Sequence, residues 1–339
     1  MLRTLQARRE HWPLASPFRI SRGVKTAADV VAVEIGHEGQ VGHGEAVPYA
    51  RYGETLDSVL AQIESVADAI GDGMTRIELM RALPPGAARN AIDCALWDLE
   101  AKLSGRSVAE LLHQPEPQPV TIALTVSLDS PEAMARAAAA MNGAPVIKVK
   151  VDATEPEACL RAVRAAAPDA QLIVDPNEGW SFALLRDIQP VLQELKVALV
   201  EQPLPSDEDH QLEGFEPAIP ICADESCHVA ADLDELAGRY QVVNIKLDKT
   251  GGLTEALDLL TAARSRGFGV MVGCMVSSSR SIAPALLLAR EAEFVDLDGP
   301  LWLKADHPGG VRLQAGKLAP AAPGFWGTPC PQAMTSPSV

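Results

Sequence analysis

Three short stretches decide the architecture: Gln171-Leu172-Ile173-Val174-Asp175, Val197-Ala198-Leu199-Val200-Glu201 and Ile219-Pro220-Ile221-Cys222-Ala223-Asp224. Each is an apolar run that stops on a carboxylate. Short runs that are apolar on both faces suit strands buried inside a parallel sheet. Five more runs flank them, at 120–126, 146–151, 241–246, 269–274 and 293–298. Helical patterns intervene at 131–141, 156–167, 182–195 and 253–266. Eight strands recurring at roughly 20–30-residue intervals predict a barrel of parallel strands with helices outside. A doubly wound open sheet is the competing architecture, but no Gly-x-Gly-x-x-Gly follows any of the runs.

Upstream of the Pro-rich stretch 114–119 the texture differs. Val30-Val31-Ala32-Val33-Glu34-Ile35 and a Gly-containing turn at 37–39 read as antiparallel strands. Helices follow; from Ala87 to Leu103, residues Ile92, Leu96, Leu99 and Leu103 recur on one apolar face. Strands followed by segregated helices predict a small α+β domain over 1–117, completed by about 309–326. The barrel then spans 118–308, and 327–339, rich in Pro, Ala and Ser, reads as an extended or disordered tail.

Composition narrows the function. The chain has 339 residues, 47% of them apolar, enough for a large core, and a net charge of −16 that repels nucleic acid. Six cysteines, Cys94, Cys159, Cys222, Cys227, Cys274 and Cys330, show no Cys-x-x-Cys spacing, which points to free thiols in a reducing compartment. The opening Met1-Leu2-Arg3-Thr4 lacks a signal-peptide core and no run is long enough to span a membrane. A cytoplasmic enzyme acting on a small molecule is the expectation.

Polar residues at the C-terminal ends of barrel strands face the active site. Here they are Lys148 and Lys150, then Asp175, Glu201, Asp224, Lys246, and Asp296 with Asp298. One strand-end Asp ordinarily caps the next helix. Three carboxylates on three consecutive strands point instead to an all-oxygen site for a hard cation such as Mg²⁺, one per subunit, with Mn²⁺ a possible substitute. No His and Cys ring accompanies them, which argues against zinc. Strands two and six lie opposite each other in an eight-stranded barrel, so Lys150 and Lys246 would flank a bound substrate. That geometry removes a proton from one face of a carbon and returns one to the other. Like-charge repulsion from Lys148 and the cation would favour the neutral, proton-accepting form of Lys150. Asn177 and Glu225, just beyond two of the carboxylates, are expected to brace them.

These residues carry a resemblance. Ala88-Arg89-Asn90-Ala91-Ile92-Asp93-Cys94-Ala95-Leu96-Trp97-Asp98, Lys148-Val149-Lys150, Asp175-Pro176-Asn177-Glu178, Glu201-Gln202-Pro203, Ala223-Asp224-Glu225-Ser226 and Asn244-Ile245-Lys246-Leu247-Asp248-Lys249-Thr250-Gly251-Gly252 stand at the spacing of the enolase superfamily. The chain resembles its muconate-lactonizing subgroup over roughly residues 1–317, and is most similar to dipeptide epimerases acting on L-Ala-D/L-Glu. The resemblance implies a (β/α)₇β-type TIM barrel under an N-terminal capping domain. It also implies metal ligands Asp175, Glu201 and Asp224 and an acid/base pair Lys150 and Lys246, with Lys249 as the rival on strand six. Pro176 departs from the small residue more usual at that position.

In such epimerases an Asp-x-Asp at strand eight binds the dipeptide ammonium, the role implied for Asp296 and Asp298. Arg22 resembles the position that pairs with an acidic side chain, with Arg19, Lys25 and Arg51 as alternatives. Residues 49–54 look like a second capping segment, while Thr125, Ser127, Cys274 and Met275 should line the pocket and Lys148 should contact substrate. The implied reaction is a 1,1-proton transfer on a dipeptide such as L-Ala-D-Glu, a murein peptide fragment, by a homo-oligomer. Muconate cycloisomerisation or o-succinylbenzoate synthesis would use the same site on substrates lacking an ammonium. A non-catalytic metal-dependent sensor and a Schiff-base aldolase are the remaining alternatives.

Overall fold

The computed structural model of the protein describes residues 2–141, 143–314 and 316–329. Eight parallel strands form one sheet in chain order: Ala123–Val126, Val146–Lys150, Gln171–Asp175, Val197–Glu201, Ile221–Ala223, Val242–Ile245, Gly269–Gly273 and Phe294–Asp296. The sheet curls into a nearly closed barrel. Among the described residues no backbone ladder joins its first and last strands; Asp298 Oδ2 instead accepts the backbone N–H of Thr125 at 2.8 Å.

Strand period explains what fills the barrel, because alternate side chains point inward. The lower interior layer is apolar: Ala123, Ile173, Leu199, Cys222, Val242 and Met271 pack as one cluster, with Val146 and Phe294 against it. Two residues further along, the inward positions are Thr125, Lys148, Asp175, Glu201, Asp224, Asn244 and Asp296, all buried. Gly273 holds this level on strand seven. A Cβ there would lie 2.7 Å from Asn244 Oδ1 and 3.0 Å from Lys246 Cε, so glycine leaves the room those side chains occupy.

Helices Pro131–Ala140, Pro156–Ala166, Phe182–Glu194, Leu253–Ser265 and Ser279–Ala289 pack outside. The first four end one residue short of their expected spans. Among the described residues, strand four is followed by the 3₁₀ turn Asp209–Leu212, and strand five by the 3₁₀ turn Ala230–Asp232 and the four-residue helix Leu233–Leu236. The expected first strand, 120–126, is divided. Val120–Thr121 leaves the barrel to pair with Lys317–Ala319, itself paired with Arg312–Gln314.

The capping domain is a three-stranded antiparallel sheet, Thr4–Ile20, Gly23–His37 and Gln40–Ala46, covered by helices including Leu56–Ser65 and Ala87–Ser104. The edge strand Thr4–Ile20 lacks the apolar signature of 30–35 because only Leu14 on it is buried. Helix Ala87–Ser104 departs from the one-face expectation. It is buried almost all round, while Leu103 is 38% exposed. The reason is its position between the capping sheet and the barrel. On the barrel side Asp93 accepts the backbone N–H of Thr254 at 3.0 Å, and Arg89 Nη2 donates to Thr250 O at 2.6 Å.

Of the segment expected to complete the small domain, 312–319 joins strand 120–121, not the capping sheet. Further on, Trp326 Nε1 donates to Cys94 O at 3.2 Å and the Gly327 N–H to Asp98 Oδ1 at 2.7 Å, which ties the chain to helix Ala87–Ser104. Residues 330–339 of the expected tail, Cys330 included, lie outside the described residues. The other five cysteines are free thiols, and no described helix is long and apolar enough to cross a membrane.

On the sheet side, that helix sits directly against Gly42 and Gly44. A Cβ on either would run into the backbone carbonyl of Ala95 or Ala91. Gly44→Ala should therefore lower stability by about 1–3 kcal/mol through overpacking. Urea unfolding should show a lower midpoint with an unchanged slope, and an unmoved midpoint would refute the tight seat.

Candidate active site

The upper layer of the barrel is a lattice of buried charges. Lys148 Nζ lies 2.7 Å from Asp296 Oδ2, 2.7 Å from Glu201 Oε2 and 3.0 Å from Asp175 Oδ2. Lys150 Nζ donates to Asp175 Oδ2 at 2.5 Å. Lys246 Nζ donates to Asp224 Oδ2 at 2.7 Å and stands 4.0 Å from Glu201 Oε1. Asn244 Nδ2 donates to Glu201 Oε1 at 2.9 Å. Lys249 is fully buried behind this layer, 2.8 Å from Asp224 Oδ1, and does not reach the cavity that Lys246 lines.

Burial and proximity set the protonation energetics. Burial works against the Lys148 ammonium, but Asp175, Asp296 and Glu201 outweigh it and hold its pKa well above the usual lysine value. Lys246 is raised in the same way, with Asp224 and Glu201 overcoming burial. Burial and then Asp175 push Glu201 up to about 7. Asp224 goes the other way: Lys246 and Lys249 overcome its burial and hold it well below the carboxylate range.

Three inward carboxylates from adjacent strands thus share one buried site. Glu201 Oε2, Asp224 Oδ1 and Glu225 Oε2 are buried without a hydrogen-bond partner, although the first two lie within ion-pair distance of a lysine. An unpaired buried acceptor of the kind of Glu225 Oε2 costs about 1–3 kcal/mol. An all-oxygen donor set with spare lone pairs fits a hard divalent cation.

Above this layer opens a cavity of about 480 Å³. Its wall includes Thr125, Lys148, Lys150, Asn177, Asp224, Glu225, Lys246, Cys274, Met275, Asp296 and Asp298, so most of the expected site residues meet there. Asp175 and Glu201 lie just beneath, fully buried. Ser127 does not line the cavity; its hydroxyl accepts the Arg19 N–H at 2.6 Å and donates to Arg19 O at 3.1 Å. Asn177 donates its backbone N–H to Asp175 Oδ1 at 2.8 Å. Asn177 and Glu178, right after Pro176, have φ of 48° and 65°, so the strand ends in a left-handed turn.

The capping domain roofs the cavity with Phe18, Arg22, Val24 and Lys25 from one hairpin and Tyr49, Arg51 and Tyr52 from the second segment. Arg22 Nη2 donates to Glu225 Oε1 at 2.6 Å and to Tyr49 Oη at 2.9 Å, and its Nη1 to Glu178 Oε2 at 3.0 Å. Arg51 grips Glu178 with two bonds of 2.8 Å. Both roof arginines therefore converge on one carboxylate, which sequence reasoning quoted but gave no role. Gln202 is a second such residue: its Oε1 accepts the Asp224 N–H at 2.9 Å. Gln202 follows directly on Glu201 and Glu178 comes three residues after Asp175, and that nearness to strand-end carboxylates was the available signal.

Comparison with known proteins agrees with this geometry. Residues 2–113 match the family described as mandelate racemase / muconate lactonizing enzyme, N-terminal domain, and residues 132–328 match enolase C-terminal domain-like proteins. An L-Ala-D/L-Glu epimerase of Escherichia coli (strain K12) is 49% identical, over 94% of this chain and 99% of its own. An N-acetyl-D-glutamate racemase of a Pseudoalteromonas species is 47% identical over 88% and 95%. A crystal structure of an enolase family member from Agrobacterium tumefaciens, with homology to dipeptide epimerases and with sodium and L-Ala-L-Glu bound, superposes with a TM-score of 0.94 at 49% identity, covering 96% of this chain and all of that one. Matched in both domains and along nearly its whole length, the chain belongs to the mandelate racemase / muconate lactonizing enzyme family of the enolase superfamily.

Proposed function

We propose that the protein is a Mg²⁺-dependent epimerase that inverts the α-carbon of the C-terminal residue of a dipeptide, with L-Ala-D/L-Glu, a murein peptide fragment, as the leading substrate. The observation that carries this reading is the facing pair Lys150 and Lys246. They enter one cavity from strands four apart on an eight-strand ring, above three carboxylates and beside Asp296 and Asp298. The E. coli and A. tumefaciens relatives support the dipeptide class.

In this reading Asp175, Glu201 and Asp224 hold the ion. Mg²⁺ held there would supply positive charge to the substrate carboxylate as the α-proton leaves. Whichever lysine is neutral takes the proton from its face, and the ammonium opposite delivers one to the other. Lys148 stays an ammonium throughout, locked to Asp175, Glu201 and Asp296, and supplies fixed charge beside the substrate. Asp296 and Asp298 receive the substrate ammonium. Arg22 or its neighbour Lys25, both lining the roof, receives an acidic side chain. The roof excludes water once Arg22 and Arg51 engage Glu178.

The Pseudoalteromonas relative favours a second reading, racemisation of an N-acylated glutamate by the same two lysines. That substrate has no ammonium, and neither do muconates or succinylbenzoate precursors, so the two aspartates separate the readings. The protein is a cytoplasmic homo-oligomer in this proposal. Five free thiols support the reducing compartment, and Ile77 and Leu103, 55% and 38% exposed, support a self-association face.

In D₂O with Mg²⁺, the α-hydrogen of L-Ala-D-Glu and L-Ala-L-Glu should exchange, and EDTA should stop it. Lys150→Ala and Lys246→Ala should each cut epimerisation by about 10²–10⁴-fold. Each variant should still exchange the α-hydrogen of one epimer, a different one in each, as read by proton NMR; exchange of both epimers by either variant would defeat the two-base assignment. Asp298→Asn should raise the dipeptide KM by about tenfold to a hundredfold, the worth of a hydrogen bond to a charged group. Turnover of N-acetyl-glutamate should be spared, and the reverse pattern would favour the N-acyl reading. Burial and then Asp296 push the Asp298 carboxyl up to about 6. Dipeptide KM should accordingly climb as pH falls through that value, where the carboxylate is lost while the dipeptide ammonium stays charged. A flat KM profile there would remove Asp298 from ammonium binding.

A further inference from the structure

A second set of metal-ligating side chains meets away from the cavity, where the capping sheet abuts the chain that follows barrel strand eight. Glu10 on strand Thr4–Ile20, Glu45 on strand Gln40–Ala46 and His307 each bring one donor atom there, all within 4.8 Å of one another. Glu45 is 1% exposed, and its carboxylate accepts the Ser278 N–H at 2.8 Å and the Ser278 hydroxyl at 2.5 Å. Glu10 Oε1 accepts Arg8 Nε at 3.0 Å. These contacts orient two carboxylates without exhausting their lone pairs.

What they leave over is specific. Glu10 Oε2 and His307 Nε2 are both buried without a hydrogen-bond partner. They stand 4.0 Å apart, too far to bond each other. Burial and the charge of Arg280 favour the neutral imidazole of His307, the form with a lone pair to give. The ring is fixed by Trp12, edge-on at 4.8 Å. A cation bonded to a nitrogen and an oxygen at about 2.0–2.1 Å in tetrahedral geometry holds them about 3.3 Å apart. The pair therefore needs to close by less than about 1 Å to share one.

We propose that Glu10, Glu45 and His307 form a second metal site, selective for a borderline divalent cation of the Zn²⁺ type, which clamps the capping domain onto the barrel. One imidazole and two carboxylates suit Zn²⁺ better than Mg²⁺, which prefers oxygen alone. The site's ligands come from two capping-domain strands and from chain beyond the barrel. Binding therefore ties together parts that the cavity's own ion does not reach.

The test is calorimetric titration of the metal-stripped full chain with Zn²⁺ in excess Mg²⁺, beside Glu10→Gln and His307→Gln. The native chain should bind one equivalent more than either variant, or bind it at least about tenfold more tightly. Zn²⁺ should raise the Tm of the native chain and not of the variants. Both variants should keep Mg²⁺-dependent epimerisation, which shows that they are folded. Equal Zn²⁺ stoichiometry and affinity in all three proteins, or no Zn²⁺ binding by the native chain under excess Mg²⁺, would overturn the proposal.

Discussion

Asp175, Glu201 and Asp224 lie side by side at 0–1% exposure, and much of the fold can be understood as what makes that tolerable. Isolated buried carboxylates are so costly that they protonate or find partners. Here Lys148, Lys150, Lys246 and Lys249 all reach them, each from the barrel wall or just behind it. The positive charge that balances the site in this structure is therefore the same charge that the proposed chemistry would use. A lysine that pairs with a carboxylate cannot also take a proton, so a cation entering the site would compete with Lys150 and Lys246 for one set of oxygens. In the proposed reaction that competition would couple ion binding to base activation.

The apolar floor makes the arrangement possible. Interior positions alternate, and the layer from Ala123 to Met271 excludes water from below. The charged layer is left open only toward the roof. The seam is closed by a side chain in place of a ladder, and that side chain, Asp298, also lines the cavity. Barrel closure and, in the proposed function, substrate recognition thus fall on one residue.

The strand-end pattern was readable because it rests on two local rules, a period of two and an apolar run ending in a charge. Those rules reach Lys148, Asp175, Glu201, Asp224 and Asp296, but not the inward Asn244 and Gly273, which carry no charge. They do not reach contacts made across the domain boundary. Ser127 turned out to bind Arg19, and helix Ala87–Ser104 is buried on the face that carries Arg89 and Asp93 as well as on its apolar one. Nothing in a single strand's periodicity encodes what a second domain will lay against it. The edge strand Thr4–Ile20 escaped for the opposite reason, since a strand that buries only Leu14 shows no apolar period. The divided first strand depends on a partner nearly two hundred residues away, in Lys317–Ala319.

Glu178 stands three residues beyond Asp175, on a turn whose backbone is forced left-handed, and it receives both roof arginines. The residue that fastens the roof and the carboxylate proposed to hold the ion are thus borne on the same short stretch of main chain. A displacement of the roof would act on that carboxylate through three residues of main chain. In mechanical terms the enzyme has no separate door: the frame of its doorway is also the mount of its reactive centre.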